Sequence, residues 1–183
     1  GGPADGPMAI AVTDEMATEL GIEYVVCSVH WQLYVPEEPK ALMDNFHRQY
    51  LFMAQHPRVD IIGHPWWWYG KWENPDGTYT GDPWFADFSV VPQRMHDEFA
   101  AACVAGNTAV EASLSMVFSY RYPDQFKQQY LAYLAGLQEK GVKLAIGGDA
   151  HTSLTAVDCQ KGAEILTAAG IEDDFWTLPP RKE

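Results

Sequence analysis

Leu144-Ala-Ile-Gly-Gly-Asp-Ala-His-Thr152 is the stretch from which the rest of the chain is read. A short apolar run ends in two glycines, and Asp149 and His151 follow one residue apart. A buried parallel strand has this form where it stops and delivers side chains to the rim of a sheet. The glycines allow a sharp turn and a close approach to a ligand. A carboxylate and an imidazole at such a rim offer lone pairs to a divalent metal. Taken alone, the same residues also read as a helix N-cap aspartate followed by a surface histidine.

Two further segments share the pattern. Ile22-Glu-Tyr-Val-Val-Cys-Ser-Val29 is β-branched and apolar and ends at His30, and Val59-Asp-Ile-Ile62 closes on Gly63-His64-Pro65. A third strand is expected over Ala109-Val-Glu-Ala-Ser113, with Glu111 pointing to one side. Between them the spacing predicts helices over 13–20, 42–55, 92–104 and 125–140, and a last one over 156–169. Gly21, Gly106, Gly141 and Gly170 are read as their stops. Alternating strands and helices imply parallel β/α units with right-handed crossovers, whose ligands gather at the carboxyl ends of the strands. His30, His64, Asp149 and His151 all fall there, so a metal cluster is better supported than any one of them. His47, His56 and His96 are read as surface, helix-end or structural residues.

Trp66-Trp-Trp-Tyr69, with Trp72, Tyr79, Trp84 and Phe85 after it, reads as a long aromatic loop following the second strand. Trp66 and Trp67 are candidates for a substrate pocket or lid, and core capping or an oligomer interface is the alternative. Glu111 and Arg121 are the other pocket candidates: Arg121 would contact a phosphate if it shares the mouth with Glu111, and a surface arginine is the alternative reading.

With 183 residues, 47% of them hydrophobic, the chain is long enough for one domain with a sizeable core. Residues 1–12 are expected to be a flexible segment and 13–183 the β/α domain. The formal charge of -13 repels phosphate backbones and anionic lipids, which argues against nucleic acid and membrane surfaces as partners. An anionic substrate would need local positive charge, most simply from metal. Three widely spaced cysteines fit neither a disulfide framework nor a zinc finger, and imply a reducing, cytoplasmic setting. Cys27, inside a strand, reads as a small apolar residue and not a nucleophile. No phosphate-binding glycine loop or nucleophile elbow is found.

The strand ends resemble those of the PHP (polymerase and histidinol phosphatase) family. Cys27-Ser-Val-His30 is like its S-V-H, Ile62-Gly-His-Pro65 like its G-H-P, and Gly147-Gly-Asp-Ala-His-Thr152 like its G-S-D-A-H. The order of these motifs also matches, over residues 13–170. Val110-Glu-Ala-Ser113 falls at the family's E-x-N strand end, with Ser113 at the Asn position. The resemblance implies the later part of a distorted (β/α)7 TIM-like barrel. It also implies up to three divalent metals, zinc, manganese or iron: His30 and His64 on one, Asp149 on a second, His151 on a third. The implied activity is hydrolysis of a small phosphoester by metal-activated water, with His30, His64, Asp149 and His151 as its catalytic residues. The family's first strand carries H-x-H, which this sequence lacks. The expectation is therefore a piece of a longer protein, or a chain completed by a second copy or a complementing polypeptide that covers the open sheet edge. Another metal-dependent hydrolase of the amidohydrolase or decarboxylase type, and a non-catalytic fragment, are the competing readings.

Overall fold

A computed structural model describes residues 8–30, 38–67, 76, 87–118, 122–150, 156–171 and 178. His151 and Arg121, most of the aromatic loop and nearly all of the tail lie outside them. Four parallel strands form one sheet in the order β1-β2-β3-β4: Val26–Cys27, Ile61–Ile62, Ala109–Ser113 and Leu144–Gly147. Helix α1 (Asp14–Leu20) precedes them, and α2 (Pro39–Gln55), α3 (Gln93–Gly106), α4 (Leu114–Phe118), α5 (Asp124–Glu139) and α6 (Ala156–Ala168) are strung between and after them. Each strand lies beside its predecessor, with no reversal of order. Such winding puts the crossover helices on one face, as in a stretch of β/α barrel. Among the described residues the sheet is open, with edges at β1 and β4. The predicted β/α units are present, and the closed barrel is not part of what is described.

The sequence explains the longer elements. In α2, Leu42, Phe46, Tyr50 and Met53 repeat at helical spacing and are all buried, and Pro39 opens the helix where its missing N–H costs nothing. Thr13 caps α1 by accepting from Met16 N at 3.2 Å, and Gly21 closes it at φ +62°. β1 is shorter than the apolar run over 22–29 suggests. Among the described residues it pairs on one side only, with β2, and the chain after β2 turns at His64 to φ +28°.

The two faces of the sheet differ. Ile62, Val110, Ala112 and Leu144 join the main core with residues of α2, α3, α5 and α6. Ile61, Ala109 and Ala145 form a small separate cluster on the other face. By strand alternation Glu111 belongs to that second face, where Val26, in register with Ile61, is 59% exposed.

One buried histidine corrects the sequence reading and a second keeps to it. His47 is not at the surface: it is 7% exposed within α2, and its Nε2 lies 2.7 Å from Glu98 of α3. His96 is structural, with its ring 4.7 Å from that of Tyr133 and 5.2 Å from that of Phe88. Burial lowers its pKa to about 4. Unfolded, the same group takes up its proton near 6.5, so between those values the unfolded chain binds more protons. Stability therefore falls as pH drops through that window. We expect folding to be weaker by about 2 kcal/mol at about pH 5 than at about pH 7 from this group. Denaturant titrations of the protein and of His96→Leu check it. An equal pH slope in both would refute the assignment.

No described helix is long and apolar enough to cross a membrane.

Candidate functional site

The carboxyl ends of the strands converge. His30 follows β1 and His64 follows β2, and their rings meet edge to face with centroids 4.8 Å apart. His30 is exposed and His64 is 3% exposed. Trp67 borders both, at 5.5 Å from His30 and 5.6 Å from His64. Trp66 goes the other way. At 1% exposure it lies in the core against Tyr50 and Phe88, and its N–H donates to Tyr50 Oη at 2.6 Å. Burial pushes the Tyr50 phenol far above its ordinary range, so it stays neutral.

Glu111, on β3, is 9% exposed, and its Oε2 accepts from the His64 N–H at 2.6 Å. A glycine of the neighbouring strand β4 makes room for it. A Cβ at Gly147 would stand 2.0 Å from Glu111 Oε1, whereas one at Gly63 would run into Ser28 Oγ at 2.4 Å and meet Glu111 Oε2 only at an ordinary contact distance of 3.5 Å. Desolvation raises the Glu111 pKa, the His64 N–H works against this, and the charge of Asp149 adds to the rise. Asp149, after β4, is thus within electrostatic reach of the same carboxylate. The sequence placed Glu111 near the pocket but gave no hint of this bond. The available signal was a charged residue inside the apolar strand Ala109-Val-Glu-Ala-Ser113.

The main chain is strained at this rim. His64 at φ +28°, Trp66 at φ +63° and Asp149 at φ +43° are non-glycine residues in a region such residues seldom adopt. Strain of this kind costs on the order of 1–3 kcal/mol per residue and gathers at functional sites. Cys27 is half-buried, and burial raises its thiol pKa, which fits a packing residue. His56 is a helix-end residue whose Nδ1 accepts from Arg58 N at 3.1 Å. A groove of about 570 Å³ lies at the opposite, amino end of the strands, lined by Asp14, Arg58 and Asp60, and does not include the histidine pair.

No family model matches the chain, and no curated protein matches it in sequence. One solved structure does resemble it. Histidinol phosphate phosphatase from Lactococcus lactis, crystallised with zinc, L-histidinol and phosphate, superposes with a TM-score of 0.58 at 15% identity. The match covers 86% of this chain and 62% of that one, so the present chain spans less than two thirds of the enzyme's length. At this identity the likeness speaks for the fold.

The residues at the rim suit a divalent metal in kind: two touching imidazoles with carboxylates beside them. Among the described residues, no group of three His, Cys, Asp or Glu side chains is placed to hold an ion. His30 and His64 are brought together, Asp149 lies near Glu111, and His151 is outside the described residues.

Proposed function

We propose that the chain is a metal-dependent phosphoesterase acting on a small phosphorylated metabolite, with His30, His64, Asp149 and His151 as the ligands of zinc, manganese or iron. The observation that carries this reading is the contact between His30 and His64 at the tips of adjacent parallel strands. The fold likeness to an enzyme crystallised with zinc, L-histidinol and phosphate supports it. Bound metal would supply positive charge for phosphate oxygens and activate a water as nucleophile. That charge matters in a chain of formal charge -13, which otherwise repels a phosphoester. Trp67 offers a flat wall beside the imidazoles for the organic part of the substrate. Arg121 is proposed to hold a phosphate oxygen. Because the chain spans 62% of that enzyme, activity of the isolated chain is part of the proposal.

Elemental analysis of the purified protein should find stoichiometric divalent metal, and chelation should abolish hydrolysis of phosphomonoesters. His64→Ala should lose metal and reduce turnover by more than about 100-fold. A folded, metal-free protein that still hydrolyses phosphoesters would overturn the reading. The aromatic wall also favours a planar substrate, as an amidohydrolase or decarboxylase would take. Turnover of amides or carboxylic acids in place of phosphoesters selects that alternative. Absence of any turnover in metal-loaded protein selects the non-catalytic fragment.

A further inference from the structure

Glu111 is assembled from three strands. It stands on β3, it accepts from the main chain that ends β2, and it occupies the space left by a glycine of β4. That glycine, Gly147, is there for room and not for backbone freedom, since its φ is not positive. The three atoms nearest to a Cβ at Gly147 all belong to Glu111: Oε1 at 2.0 Å, and Cδ and Cγ at 2.7 Å. A side chain at 147 and the observed Glu111 are therefore mutually exclusive. The hydrogen bond of 2.6 Å is charge-assisted when the carboxylate is ionised, and it falls on His64, one of the non-glycine residues of this rim whose φ is positive.

We propose that Glu111 is the positioning residue of this site: held in its glycine cradle, it fixes the His64 main chain and thereby sets the His64 ring against His30, without itself being a metal ligand. The inference rests on the metal reading above for its functional meaning, and on the cradle and the His64 bond for its geometry. A carboxylate that only filled a gap in the sheet would affect folding and leave zinc affinity unmoved in any variant that folds. A positioning carboxylate affects zinc affinity through the ring it holds.

The test is calorimetric titration of the full chain with zinc alone, alongside the His64 amide proton resonance and far-UV circular dichroism. Glu111→Gln keeps an oxygen acceptor and should bind zinc within a few-fold of the parent. Glu111→Leu, which removes the acceptor, should weaken zinc by about 10–100-fold, the range found when an outer partner of a ligand is lost. It should also move the His64 amide resonance upfield. Gly147→Ala keeps Glu111 but displaces it, and should reproduce the Leu result, which decides the matter if Glu111→Leu does not fold. Parental zinc affinity and an unmoved His64 amide in folded Gly147→Ala would overturn the proposal. So would Glu111→Gln binding zinc as weakly as the Leu variant, which would make Glu111 a ligand. If the parent binds no zinc, the metal reading fails by itself. The His64 amide in Gly147→Ala then decides the positioning claim alone.

Discussion

Trp66→Ala is expected to cost about 3–5 kcal/mol, which in a domain of this size lowers the melting temperature by roughly 10 °C or more. Its ring is 1% exposed and meets Tyr50 at 5.3 Å, Phe88 at 6.2 Å and His96 at 6.0 Å, so truncation leaves a cavity walled by rings from several elements. The bond from Trp66 N–H to Tyr50 Oη survives the substitution, because the main chain supplies the donor. The measured loss therefore reports the ring alone. Trp67→Ala should behave differently, with a melting temperature within a few degrees of the parent and weaker substrate binding, since Trp67 borders His30 and His64. Thermal melts of the two variants check the contrast. Equal shifts would mean that the two rings are not divided between core and site. Because Trp66 lies two residues after His64, a loosened core there should also reduce zinc affinity, through the same segment of chain.

How far the sequence spoke for this arrangement can be judged residue by residue. The helices were legible, because apolar spacing in α2 and α5 and the Thr13 cap act within a few residues along the chain. The parallel pairing of the strands followed from their alternation with helices, and with it the placing of His30 and His64 at strand ends. The division of labour between Trp66 and Trp67 was not legible: it depends on the turn at His64 and on Tyr50, sixteen residues earlier in the chain. His47 was misjudged for a similar reason, since its partner Glu98 lies on a different helix, 51 residues away. Helix α4 was missed because Leu114-Ser-Met-Val-Phe118 continues the apolar character of β3, with no cap to mark the change. Glu111 is the clearest case. Its residue type and its strand could be read, but the empty place at Gly147 that admits it exists only once β3 and β4 are in register.

Two helical glycines make the second large prediction, with opposite signs. The sequence marks Gly106 as the stop of α3, yet the left-handed residue that ends the helix is Asn107, at φ +47°. Gly106 itself lies in the last turn, where a Cβ would stand 1.9 Å from the Ala54 carbonyl oxygen of α2. That oxygen already accepts from Thr108 Oγ1 at 2.7 Å, and being main chain it cannot rotate aside. Gly106→Ala gains up to about 1 kcal/mol of helix propensity and loses about 3 kcal/mol to overpacking, so the net is destabilising by about 2 kcal/mol. The melting temperature should fall by roughly 4–8 °C. Gly136, within α5, has nothing within 4 Å of its Cβ position, so Gly136→Ala keeps the propensity gain and should raise the melting temperature by roughly 2–4 °C. Calorimetric melts of both variants provide the measurement, and shifts of the same sign would refute the close approach of α2 and α3. The consequence reaches the site as well. Thr108 leads directly into β3, so an α3 pushed away from Ala54 should pull on the strand that carries Glu111. Gly106→Ala should therefore weaken zinc binding from a distance, whereas Gly136→Ala should leave it unchanged.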